Sequence, residues 1–196
     1  MIIWINRAFG SGKTQTAYEL KRRLPGSMVY DPEVAGYFLQ KMIPKQAAEE
    51  DFQDYPMWRE VTYSTLSYLN RSFKGVILVP MTLTEPLYFW ETVGRLRKEG
   101  AEVHHVTLLA SRETLQKRLK NRGDGAKSWP AHQIDRCIEA LGSDLFADHL
   151  ETDLLTLEET AEAIATRLQL RLKTDERGAI RKRIGRWLVQ LRHIRV

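Results

Sequence analysis

The chain has 196 residues, 43% of them apolar, with 30 basic and 25 acidic side chains. That length suits one α/β-sized domain with its own core, and no apolar run nears the roughly 18 residues of a membrane span. The single cysteine, Cys137, excludes internal disulfides and a cysteine-rich zinc site. The apolar start Met1–Ile5 is too short for a signal peptide, so a cytoplasmic protein is expected.

The charge is uneven. Eight basic and two acidic residues fall in Lys173–Val196, a net +6, which leaves 22 basic and 23 acidic residues, a net −1, in the first 172. The pI of about 9.3 therefore describes a tail. A nucleic-acid groove across the domain, and a nucleic-acid partner, are not expected.

In chain order, Met1–Ile5 is a continuous apolar run, predicted as a strand covered on both faces. A glycine-rich turn leads into a helix over Thr14–Leu24, which Pro25-Gly26 ends. Ser27–Tyr30 predicts a second strand, stopping at Asp31-Pro32; Gly75–Pro80 and Val103–Ala110 predict two more. Helical patterns cover Val34–Ile43, Pro56–Arg71, Pro86–Lys98, Ser111–Arg122 and Pro130–Leu141. Thr156-Leu157-Glu158-Glu159 is a capping box for a further helix with Ala161, Ile164, Ala165 and Leu168 on its apolar face. Strands alternating with helices imply a three-layer α/β fold over residues 1–172, with a parallel sheet between helices. Such sheets bind ligands at the carboxyl ends of their strands.

Residues 7–14, Arg7-Ala8-Phe9-Gly10-Ser11-Gly12-Lys13-Thr14, match the P-loop pattern G-x-x-x-x-G-K-[ST] except that Arg7 replaces the first glycine. Gly10 and Gly12 let backbone N–H groups form a nest for phosphate oxygens, and the following helix adds its partial positive charge. The nucleotide site is expected over Ala8, Phe9, Gly10, Ser11, Gly12, Lys13 and Thr14. Lys13 would bridge the β- and γ-phosphates of ATP, and the Thr14 hydroxyl would ligate Mg²⁺. Arg7 either adds a phosphate contact or crowds the mouth of the loop.

The strand Gly75–Pro80 ends in Pro80-Met81-Thr82, without the acid that motor and transporter ATPases use for Mg²⁺. That favours small kinases, in which Asp31, at the end of the second strand, takes a proton from a hydroxyl acceptor or holds Mg²⁺ through water. Asp31 also reads as a plain Asp-Pro turn. Arg118 and Arg122 share one helix face before Gly123-Asp124-Gly125. This pair is either a phosphoryl-transfer lid, at about residues 111–130, or a solvated basic face. His104 and His105 are adjacent on a strand and cannot share a metal.

The strings IIWIN and AFGSGKTQTA, the segments Val29–Glu33 and Ile77–Thr82, and Gly94–Arg97, Gln133–Cys137 and His193–Arg195 resemble tunicamycin-resistance proteins of the TmrB type over essentially the whole chain. The family pattern has glycine where this chain has Arg7. The resemblance implies a nucleotide-kinase fold, ATP binding, and resistance to tunicamycin, a uridine-containing nucleoside antibiotic that the protein either phosphorylates or sequesters. A housekeeping nucleoside or nucleotide kinase is the alternative. It also implies peripheral attachment to the cytoplasmic face of the membrane through the C-terminus. By similarity to small P-loop kinases, Asp31, Arg59 and Arg118 surround the acceptor. Trp58, beside Arg59, reads either as a base-stacking ring or as core, and core is preferred.

In residues 173–196, Ile180, Ile184, Trp187, Leu188, Leu191 and Ile194 form one helical stripe, with arginines around the rest. A basic amphipathic helix of this kind suits an anionic bilayer surface. A helix packed on the domain, a dimerisation helix and a nucleic-acid arm are the competing readings.

Overall fold

The structure, a computed structural model, describes residues 1–8, 12–123, 125 and 128–192. Phe9, Gly10, Ser11, Asp124 and the Arg122 side chain, all singled out above, lie outside what is described, as do the side chains of Leu191 and Ile194.

Five parallel strands form the central sheet: β1 (Ile2–Arg7), β2 (Ser27–Val29), β3 (Val76–Pro80), β4 (Val103–Leu109) and β5 (His149–Glu151). Their spatial order is β2-β3-β1-β4-β5. Every residue of the central strand β1 is buried, and alternation across the pleat divides its side chains between two cores. Ile3 and Ile5, with Leu78, Val106 and Leu108, meet Ala17 and Leu20 of α1 (Lys13–Arg23) and Ala161, Ile164 and Ala165 of α9 (Leu157–Arg167). Ile2 and Trp4, with Ile77 and Val79, face the opposite layer. That layer holds α2 (Glu33–Met42), α3 (Pro56–Ser72), α4 (Pro86–Phe89), α5 (Arg95–Lys98), α6 (Arg112–Arg122), α7 (Trp129–His132) and α8 (Ile134–Leu141). The expected three-layer α/β architecture is present.

Several local outcomes differ from the sequence pattern. Pro86–Lys98 is not a uniform α-helix, because Trp90–Gly94 winds as a π-helical turn between α4 and α5. The Trp90 ring lies so close to Gly94 that a Cβ there would stand 2.4 Å from its Cε3 atom, so a side chain at that position would have to displace the ring. The segment Pro130–Leu141 divides at Gln133 into α7 and α8. Strand β5 was not read from the sequence; three residues are too few to display a period, and its pairing with β4 defines it. The capping box is realised: the Thr156 hydroxyl accepts the Glu159 N–H at 3.2 Å, and the Glu159 carboxylate accepts the Thr156 N–H at 2.7 Å. Cys137 is buried in the α8 face.

Hydrogen bonds lock the carboxyl end of the sheet. Asn6 donates through Nδ2 to the Leu83 carbonyl at 2.8 Å and accepts the Leu83 N–H at 2.9 Å. Trp4 Nε1 donates to the Met81 carbonyl at 3.0 Å, and the Thr82 hydroxyl to the Arg7 carbonyl at 2.7 Å. The chain beyond β3 is thus held against the end of β1, where the phosphate-binding turn begins.

Candidate functional site

The turn after β1 has the backbone that its glycine permits. Gly12 caps α1 at φ 97°, in the left-handed region that an L side chain strains to adopt. Lys13 and Thr14 follow as the first helical residues, and the first turn of α1 has no acid to offset the helix N-terminus. Lys13 is buried, and its ammonium stands 3.4 Å from the carboxylate of Glu33, the first residue of α2.

Arg7 is built into the sheet end. It is 2% exposed and donates through Nη2 to the Thr152 hydroxyl at 3.0 Å. A Cβ on Gly12 would stand 3.9 Å from Arg7 Nη1, so the guanidinium lies beside Gly12. Its buried Nε has no hydrogen-bond partner among the described residues. Thr152 also receives Arg118, whose Nη2 donates to the Thr152 carbonyl at 2.7 Å. Burial lowers the Arg118 pKa, against the opposing effect of the Asp153 carboxylate. Arg118 is therefore brought, half-buried, to the end of β5 beside Arg7. Thr152 lay outside the sequence reading, since only the pairing of β5 places it there.

On the other side of β1, Asp31 ends the link after β2. Its Oδ1 accepts the N–H of Glu33 at 3.0 Å, fixing the start of α2. Trp58 is fully buried and donates through Nε1 to the Pro32 carbonyl at 2.9 Å. The core reading of Trp58 holds, and the ring pins the Asp31–Glu33 turn to α3. Arg59 is committed within the protein: Nη1 donates to the Gln53 carbonyl at 2.6 Å, Nε pairs with Glu91 of the π-helical turn, and the guanidinium covers the Tyr88 ring at 4.4 Å. The Tyr88 phenol, pushed up to about 12 by burial and by its hydrogen bond to Asp54, stays protonated. Arg59 and Glu91 line a cleft of about 360 Å³ with Pro56, Met57, Glu60 and Arg95. Lys13, Asp31 and Glu33 are thus gathered in one place, Arg7 and Arg118 in another, and Arg59 lies in the wall of the cleft.

The donor set at the turn suits a hard cation that arrives with phosphate. Among the described residues no group of three or more His, Cys, Asp or Glu could hold a metal unaided, whereas the Thr14 hydroxyl and Asp31 offer oxygen.

The tail forms α10 (Ala179–Arg192) and packs on α1 through a polar face. Arg177 pairs with Glu19 at 2.8 Å, Gln15 Nε2 donates to the Arg186 carbonyl at 2.8 Å, and Arg186 pairs with Glu158 at 3.4 Å. Val189 is buried, but Ile180, Ile184, Trp187 and Leu188 remain 77%, 52%, 58% and 46% exposed. No helix of the described residues is long and apolar enough to cross a membrane.

The AAA domain family AAA_33 matches residues 8–143. The solved structure of the tunicamycin resistance protein of Deinococcus radiodurans superposes with a TM-score of 0.76 at 34% identity, covering 89% of this chain and 98% of that one. A gluconokinase from Sinorhizobium meliloti (TM-score 0.58, 17% identity, 85% and 91% covered) shares the fold. So does the shikimate kinase of Bacteroides thetaiotaomicron (TM-score 0.56, 16% identity, 87% and 99% covered). No curated protein matches the sequence.

Proposed function

The chain belongs to the AAA_33 family and to the tunicamycin-resistance proteins within the P-loop kinase-like fold, and on that premise we propose that it binds ATP with Mg²⁺ and phosphorylates a hydroxyl of tunicamycin or a related nucleoside. The observation that carries this reading is the Gly12-Lys13-Thr14 turn, placed between β1 and α1, with the Glu33 carboxylate across from the lysine and Asp31 at the start of the same turn. Lys13 would hold the β- and γ-phosphates, and the Thr14 hydroxyl would ligate Mg²⁺, which neutralises phosphate charge when bound. Arg118 and Arg7 supply fixed positive charge at the end of β5, where preorganised donors favour developing phosphate charge. Arg122 would add its charge to that of Arg118 in this reading. On the acceptor side Asp31 shapes the turn, and Arg59 holds the wall of the cleft.

The protein works at the cytoplasmic membrane surface in this reading. The outward Ile180–Leu188 stripe and the arginines of α10 support attachment to an anionic bilayer.

The test is mass spectrometry of tunicamycin after incubation with the protein, Mg²⁺ and ATP. One added phosphate, absent with Lys13→Ala, is expected. Unchanged drug with ATP-dependent drug binding would make the protein a sequestering one and overturn the transfer step.

A further inference from the structure

Two helices begin on either side of Gly12. The glycine caps α1, and a Cβ placed on it would stand 4.0 Å from Cδ1 of Leu157, the first residue of α9. One residue of the tail ties these two helix starts together. The Arg186 carbonyl accepts the side-chain amide of Gln15, in the first turn of α1, at 2.8 Å. The Arg186 guanidinium pairs at 3.4 Å with Glu158, in the first turn of α9. The Arg186 side chain is 43% exposed, so this ion pair is weak by itself, and the clamp leaves room for reinforcement.

The rest of α10 offers a place for that reinforcement. Helical geometry puts Ile180, Ile184, Trp187 and Leu188 on the side away from Arg186, and all four are exposed. Arg181 and Arg183, also exposed, border the stripe on its two edges. An apolar stripe edged by arginine complements an anionic bilayer. The bilayer can take the stripe while Arg186 keeps both of its partners, because the two contacts use different sides of one helix. Whichever ligand binds first restrains α10, and the second is spared that ordering.

We infer that Arg186 is a positioning residue for the nucleotide turn, and that through it α10 links nucleotide to membrane: seating the stripe on an anionic bilayer tightens nucleotide binding, and bound nucleotide tightens attachment by the same factor. This rests on the ATP-binding and membrane-surface readings above. Its consequence is that nucleotide loading is favoured on protein already at the membrane.

The test uses the full chain and vesicles of phosphatidylcholine with phosphatidylglycerol. Calorimetric titration with a non-hydrolysable ATP analogue and Mg²⁺ should give binding about fivefold tighter, or more, when vesicles are present. Vesicle sedimentation should strengthen by the same factor when the analogue is saturating, and vesicles of phosphatidylcholine alone should have no effect. Gln15→Leu combined with Glu158→Gln removes both holds on Arg186 and leaves α10 itself unaltered. This variant should bind vesicles as the parent does without nucleotide, and its factor should fall to about one. Glu158→Gln alone should lose part of the factor, and thermal melts check that each variant folds. A merely structural role would instead change nucleotide affinity equally with and without vesicles. A factor of one in the parent, with both ligands binding, overturns the linkage. Weaker analogue binding on vesicles shows that the bilayer pulls α10 off the domain, and overturns the shared seat. A full factor in the double variant overturns the route through Arg186. Absent vesicle binding overturns the membrane reading, absent analogue binding overturns the nucleotide reading, and the inference falls with either.

Discussion

The side-chain amide of Gln15, one residue beyond the P-loop threonine, donates to the backbone carbonyl of Arg186 at 2.8 Å, across 171 residues of sequence. The C-terminal helix is therefore anchored on the helix that carries the phosphate site, and its polar contacts are spent inward. Its apolar stripe is left facing out, with Trp187 58% exposed. An ordinary docking helix would bury that stripe, so the arrangement supports a surface that meets lipid.

The stripe can be broken without touching the anchor. Ile184→Glu combined with Trp187→Glu should lower sedimentation with anionic vesicles at least tenfold, since each loses most of its apolar transfer energy, about 1.5–3 kcal/mol for a large side chain. The melting temperature should change little. Equal sedimentation of variant and parent would show that α10 does not bind lipid.

The anchor rests on a buried carboxylate. Burial raises the pKa of Glu19, but hydrogen bonds from Arg22 and Arg177 outweigh it and hold the carboxyl below its usual range. A depressed carboxylate adds stability above its unfolded pKa, near 4.5, which is lost as pH falls through the folded value. Arg177→Ala should cost about 1–2 kcal/mol at pH 7. The gap between variant and parent should narrow below about pH 4.5 in denaturant titrations. A gap constant with pH would show that charge is not the cause.

Arg7 offers a test of the charge beside Gly12. Arg7→Met keeps most of the volume and removes the guanidinium that faces Gly12. ATP affinity should fall about three- to tenfold at low salt, an effect on the order of 1 kcal/mol. The loss of the Thr152 contact should also lower stability by about 1 kcal/mol. Identical affinity in both proteins would make Arg7 a purely structural replacement for glycine.

His105 sets an acid limit on the fold. It is 4% exposed, Asn6 Nδ2 lies 3.2 Å from its Nε2, and burial with the nearby Arg97 charge lowers its pKa to about 3. The unfolded imidazole takes a proton below about pH 6.5 and the folded one resists it, so stability is full above that value and declines as pH falls toward 3. The expected loss is about 3 kcal/mol by pH 4. His105→Gln should flatten this part of the pH–stability curve; an unchanged slope would assign the acid sensitivity to other groups.

The sequence by itself determined the layers and the place of the Gly12-Lys13-Thr14 turn between β1 and α1. The continuous apolar run Met1–Ile5 and the Gly12-Lys13-Thr14 turn are local signals, governed by backbone sterics and by burial of a strand on both faces. The stripe of the tail was legible for the same reason. Partner choice was not, because charges close in sequence can act at different places. Asp31 and Glu33 stand two residues apart, yet one caps its own helix and the other reaches the P-loop lysine. Arg59 was expected around the acceptor, and the π-helical turn, invisible to a periodicity count, brings Glu91 to it. Arg7 and Arg118 meet at Thr152 only because β5 joins the sheet beside β4. Ion pairs and buried hydrogen bonds depend on distances of a few ångströms between distant segments, and the packing of the layers sets those distances.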